Sequence, residues 1–372
     1  MWWDGCSPWY CPESGTVKVN FSKRDRLVPK RRLNLMVTAA GLVSLSVYAL
    51  VQVYAPPRRL HYSDEMLEAA RIMSKAVALV GNHFDRTGIP IDETVDPNHT
   101  GLVGPEHSEL ATTLGQLEAK RTTTNPNMAG LVVHLLREAG VTAGDCVAVG
   151  CSASFPGLMV ATLAATRAMD VRPIVILSLG ASSFGGTRVD FNLLDIYELL
   201  LRGGISAFPP AAASLGGEQD IAAELEESVR QRLIGQIRES GITFVYEPDL
   251  QKNVARRMQI YRESSGSSGI SAFVNIGGSH VNLGTSELAL ALKPGLNTRL
   301  EIPAKPERGV IFEMAARGVP CIHLLFIRGL AMKYGLPWDP VPLPAPRGEI
   351  GDSYLFWPGE SRWQQRRSDE KR

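Results

Sequence analysis

The stretch from Gly144 to Gly186, GDCVAVGCSASFPGLMVATLAATRAMDVRPIVILSLGASSFGG, constrains the fold more than any other part of the chain. Cys146 to Val149 is a short apolar run bounded by Gly144-Asp145 and by Gly150, which suits a strand buried on both faces. Gly150 to Pro156 is built of small residues except Phe155, so the backbone can turn sharply and approach a ligand closely. Pro156 stands where a first helical residue belongs, since its missing N–H costs nothing there. Gly157 to Met169 is apolar nearly all round, the pattern of a helix covered by a sheet. Ile174 to Leu179 is the next strand, and its exit is again rich in glycine and serine. Open α/β sheets bind ligands at the carboxyl ends of strands connected in this way. The candidate site therefore lies there.

The rest of the chain repeats the alternation. Helices are expected over the run DEMLEAARIMSKAVALVGNHF, with Ser63 as N-cap and Gly81 marking the position just past its end, then over 106–117 and 128–139. Further helices are expected over 192–201, 218–240, 250–262 and 308–317, and strands over 243–246, 272–276 and 320–326. Residues 209–217 read as a small-residue loop. The fold class is α/β, a mostly parallel, Rossmann-like sheet with helices on both faces. The domain spans 60–337, and 338–372 reads as an irregular proline-rich and charged tail.

One uncharged segment stands apart. Leu33 to Ala55 is long enough to cross a bilayer as a helix. Lys23, Arg24, Arg26, Lys30, Arg31 and Arg32 precede it, and Arg58 and Arg59 follow. This asymmetry places residues 1–32 in the cytoplasm as a disordered basic tail, and the α/β domain outside the cell membrane. The net charge of +1 argues against a nucleic-acid partner. Five cysteines suggest no disulfide framework: Cys146 and Cys151 flank a strand, while Cys6 and Cys11 either pair or stay free.

Three chemistries compete for the site. Ser152, between strand and helix, has the place of a nucleophile-elbow serine, although Ser154 replaces the final glycine of that motif. His280 is its best base, with Asp190 or Asp249 to orient it. The second reading is recognition of an anion such as a carboxylate. Ser152, Ser154, Ser182, Ser183 and Arg188, with Gly277, Gly278 and Ser279 after a later strand, would supply hydroxyls, N–H groups and charge. Asn125 and its threonine neighbours, helped by Lys120 and Arg121, mark a helix start that attracts anions. Lys252, Arg256 and Arg257 form a local basic segment on a helix. The third reading, a metal held among His99, His107, Asp96, Glu106, His280 and His323, lacks ligand spacing, so no metal is expected. Neither a phosphate-binding P-loop nor a G-x-G-x-x-G turn after a strand is present, and no cofactor is expected.

The runs TTTNPNMAGLVVHLLREAGVTAGDCVAVGCSASFPGLMVATLAA, ILSLGASSFGGT and AFVNIGGSHVNLG resemble the poly-γ-glutamate system protein family, over most of residues 60–335. The resemblance implies a membrane-anchored accessory protein of poly-γ-glutamate synthesis or export. Its partners would be the anionic polymer or membrane subunits of a synthase complex. It carries over no catalytic residues. Within that expectation the domain either binds γ-glutamyl chains, or hydrolyses or transfers a γ-glutamyl amide through Ser152, or serves as a structural scaffold.

Overall fold

The structure is a computed structural model and describes residues 30–54 and 60–349. The expectations for residues 1–29 and for the tail beyond 349 lie outside the described residues. Two compact units divide the chain after Pro57. The first contributes helix α1, Lys30–Tyr54, which is long and apolar enough over Arg32–Leu50 to cross a membrane. Leu35, Val37, Leu45 and Val47 on it are all exposed.

The second unit is an α/β domain. In chain order it contains α2 (Ser63–Thr87), β1 (Ala111–Thr113), α3 (Leu117–Thr123), α4 (Asn127–Glu138), β2 (Cys146–Ser152) and α5 (Pro156–Ala168). Then come β3 (Arg172–Ser178), β4 (Ala181–Ser182), α6 (Leu193–Arg202), β5 (Ala212–Ser214), α7 (Glu227–Glu239), β6 (Thr243–Phe244) and α8 (Leu250–Ser265). The last elements are β7 (Ala272–Ile276), the single turn α9 (His280–Leu283), β8 (Gly295–Asn297), α10 (Val310–Ala315), β9 (Cys321–Leu324) and α11 (Ile327–Tyr334). Seven strands form one sheet in the order β6-β5-β3-β2-β7-β9-β8. All pairs are parallel except β8 against β9 at the edge. β1 and β4 form a separate parallel pair.

Burial explains the order of the sheet. Every residue of β2 is buried, as its unbroken apolar run requires for a central strand. The larger core lies on the face carrying Val147, Val149, Val175 and Val274, covered by side chains of α2, α4, α5 and α6. A smaller core lies on the face of Ala148, Ile176 and Phe273, covered by Val254, Met258 and Tyr261 of α8 and by Ile311 and Phe312 of α10. From β2 the chain winds outward through β3, β5 and β6. It then returns to β7 on the other side of β2 and continues to β9. The winding direction thus reverses between β2 and β7, and the carboxyl ends of these strands open a crevice there.

Several boundaries differ from the sequence reading. Gly81 lies inside α2 rather than past its end: a Cβ there would stand 2.5 Å from the carbonyl oxygen of His99, so glycine lets a loop close against the helix. Ser63 is the first helical residue, and its hydroxyl donates back to the Leu60 carbonyl at 2.7 Å. The helix expected over 106–117 is replaced by β1 and the start of α3. α7 begins only at Glu227, because Gln219, Asp220 and Ala222 hold positive φ and form a turn. Residues 212–214, read as loop, form β5. The stretch after residue 337 is irregular but tied down as far as it is described. Asp339 accepts two 2.6 Å hydrogen bonds from Arg121, and Asn127 bonds the backbone of Ala345 and Arg347.

Candidate functional site

A cleft of about 780 Å³ opens at the carboxyl ends of β2, β3 and β7. Its floor follows from sheet register. Ser152 pairs with Ser178 and Ser178 with Ser214, so the last residues of β2, β3 and β5 set three hydroxyls in one row on one face. Along each strand this is the face of the smaller core, and the polar residues come at its carboxyl end. Gly277 follows β7 beside Ser152 with φ of +82°, and a Cβ on it would stand 3.0 Å from the Cβ of Ser152. Only glycine suits both the dihedral and the gap.

Beneath the row lies a buried ion pair. Arg257 and Asp220 are 0% and 1% exposed, with 2.7 Å between Nη2 and Oδ2. Nη2 also donates to Ser214 Oγ at 2.8 Å and to Ser178 Oγ at 3.1 Å, while Nε donates to Asn253 Oδ1 at 3.1 Å. Asp220 accepts further bonds from Ser214 and Asn253. A charge this far from water needs its counter-ion and several donors or acceptors; both ions have them, although Arg257 Nη1 finds no acceptor among the described residues. The pair ties α8 to the 216–222 turn, whose Gly216 and Gly217 line the cleft. Arg257 is therefore a structural ion, which removes it from the basic segment it was expected to form with Lys252 and Arg256.

The side chain that stands out chemically is Lys120 of α3. It is 2% exposed and lines the cleft. Its Nζ donates to the carbonyl of Ser154 at 2.5 Å and to Ser182 Oγ at 2.6 Å, and it sits 3.9 Å from the ring centroid of Phe155. Burial alone lowers its pKa from 10.5 to about 7, with no carboxylate among the described residues to hold the proton. The serines are chained together. Ser152 Oγ donates to Ser154 Oγ at 3.1 Å, and Ser154 Oγ also accepts the Ser182 N–H at 3.0 Å. Gly115 makes room for the Lys120–Ser182 contact: a Cβ there would meet Ser183 O at 2.4 Å, Lys120 Cε at 3.1 Å and Ser182 Oγ at 3.2 Å.

Ser152, Ser154, Ser182, Gly278, Ser279 and His280 all line this one cleft. Others among the expected residues lie elsewhere. Arg188 donates to the Pro90 carbonyl at 2.8 Å and stacks over Phe84, away from the cleft lining. Ser183 is buried and its hydroxyl is directed to the Thr113 carbonyl. Asn125 is buried and its Oδ1 accepts the Asn127 N–H at 3.0 Å. The threonines beside it bond back to carbonyls of α3, so their hydroxyls are already satisfied. Ser152 ends β2 in register and is not among the positive-φ residues, so the strained turn of a nucleophile elbow is absent here.

Among the described residues no hydrogen bond or ion pair joins His280 to Ser152, Asp190 or Asp249; Asp249 instead caps α8 through the Lys252 N–H. No cluster of three or more metal-ligating side chains occurs among the described residues. His323 is buried against Asn275, and burial lowers its pKa to about 4. Sequence reasoning did not single out Gly115, Glu218, Glu224, Phe326 or Arg328, which also line the cleft. Nothing local marks them, since loops remote in sequence bring them together. No protein-family model matches the chain, and neither does any curated protein or solved structure.

Proposed function

We propose that this chain is a membrane-anchored protein whose extracytoplasmic domain holds a carboxylate-bearing, amide-linked chain in the cleft. The resemblance in sequence makes poly-γ-glutamate the specific candidate, with a role in its synthesis or export. The observation that carries the reading is the chemistry of the cleft. Its floor offers hydroxyls and a buried lysine without an acidic partner, suited to the carbonyl oxygens of an amide chain. Arg328, exposed at the lining, is the cation available to side-chain carboxylates, and the exposed His280 adds a hydrogen-bonding imidazole. Helix α1 supplies the anchor, and the six basic residues before the uncharged segment favour an inside N-terminus.

The test is calorimetric titration of the full chain in mild detergent with a defined γ-glutamyl oligomer. Saturable binding is expected, weakened about tenfold in Arg328→Glu, roughly 1.4 kcal/mol. A folded chain that gives no heat at millimolar oligomer refutes the reading.

A further inference from the structure

We propose that Ser182 and Lys120 form a nucleophile–base pair that transfers an acyl group from an amide bond held in the cleft, an inference that rests on the reading of the cleft as a site for an amide-linked chain. Ser152 has the more conspicuous position in sequence, but its hydroxyl is directed to Ser154 and no basic group bonds to it. Ser182 is the serine that touches a base, at 2.6 Å from Lys120 Nζ. Its place is fixed on both sides. Its backbone N–H is held by Ser154 Oγ, and β4 pairs Ser182 with Thr113 of β1. Lys120 is positioned by the Ser154 carbonyl and the face of Phe155, and Gly115 leaves the space in which the two side chains meet.

A base must be unprotonated at working pH, and burial prepares Lys120 for that: with a pKa of about 7, half of it is the free amine near neutrality. The other ionisable groups lining the cleft are His280, Arg328, Glu218 and Glu224, and Glu224 accepts the Glu218 N–H. Glu118 and Arg121 flank Lys120 on its own helix, with Arg121 paired to Asp339. None of these bonds to Nζ, whose partners are Ser154 and Ser182.

The chemistry balances without a cofactor. The Lys120 amine takes the Ser182 hydroxyl proton as Oγ bonds to the carbonyl carbon of the amide. The C–N bond then breaks, the leaving nitrogen receives that proton from the Lys120 ammonium, and an ester on Ser182 remains. Water, giving a proton to Lys120, attacks the ester. The bond from carbon to Oγ breaks, Ser182 regains its proton, and the acid is released. An amine in place of water gives transfer instead of hydrolysis.

The experiment treats the full chain in mild detergent with a fluorophosphonate, which a nucleophilic serine displaces at phosphorus with loss of fluoride. Adducts are mapped by peptide mass between pH 6 and 9. One adduct is expected, on Ser182, forming faster as pH rises through about 7 and slowed by pre-incubation with a γ-glutamyl oligomer. Lys120→Met is expected to slow it by about a hundredfold or more, with thermal unfolding confirming the fold. An adduct on Ser152, or none on the folded wild-type chain, overturns the pair. The wild-type adduct map does not depend on a variant folding. Oligomer binding without an adduct removes the catalytic inference and leaves the binding reading standing. An adduct without oligomer binding does the reverse.

Discussion

Replacing Lys120 with Met removes the buried ammonium while keeping an unbranched side chain of similar length, and its effect on stability depends on pH in a defined way. In the folded chain the lysine loses its proton at about 7, and in the unfolded chain near 10.5. Between those values the unfolded state holds the extra proton, so wild-type stability rises with pH. Below pH 7 both states are protonated and the folded state carries the whole desolvation cost, about 5 kcal/mol at about 1.4 kcal/mol per pH unit. The variant escapes that cost. It also leaves the Ser154 carbonyl and Ser182 Oγ without a donor, a loss of roughly 1–3 kcal/mol at every pH. The variant should therefore be the more stable protein at pH 6 and the less stable one at pH 10. Its advantage should fall by about 4 kcal/mol between pH 7 and pH 10. For a domain of this size that is a swing of roughly 10 °C in relative Tm. The assay is thermal unfolding of both proteins in the same detergent at five or six pH values. A Tm difference constant across that range would falsify the argument, because it would mean that Lys120 keeps its proton throughout.

Three further outcomes are expected. Asp220→Asn leaves the Arg257 guanidinium buried without its counter-ion and should cost roughly 3–5 kcal/mol in denaturant unfolding. The double variant with Arg257→Gln should lose less, and an equal or larger loss would contradict the ion-pair account. Gly277→Ala forces a Cβ into a φ of +82° beside Ser152, costing about 1–2 kcal/mol; an unchanged Tm would show that the 277–279 turn relaxes freely. For the topology, Cys146, Cys151 and Cys321 are buried, so a membrane-impermeant maleimide on intact cells reports on exposed positions. A cysteine placed at the exposed Glu226 should be labelled, whereas the native Cys6 and Cys11 should not; the opposite pattern reverses the orientation.

Much of the fold was legible because its central elements repeat one signal. β2, β7, α4, α5 and α6 have apolar runs or stripes of the right period, and each lies within a few residues of its expected place. β5 was missed because Ala212, Ala213 and Ser214 carry no β-branched or aromatic residue, and only pairing with β3 and β6 makes them a strand. The same holds for β1, whose Ala111 and Thr113 gain ladder partners only in β4. The onset of α7 was misplaced because the turn before it is set by the Asp220–Arg257 contact, which spans 37 positions of sequence.

The sequence by itself determined that a parallel α/β sheet forms, that small-residue loops gather at the carboxyl ends of β2 and β3, and that an uncharged segment precedes the domain. These follow from local periodicity and from small residues at strand exits. Only the tertiary structure decided which polar side chains meet. Lys120 reads as a cation assisting the helix start near Asn125 until α3 settles against Phe155 and Ser182 and water is excluded from its amine. Arg257 reads as one charge on a basic helix until the sheet closes over it. The reason is physical: desolvation and hydrogen-bond partners are properties of packing between distant segments, and they, rather than residue type, set the charge state and the chemistry of a side chain.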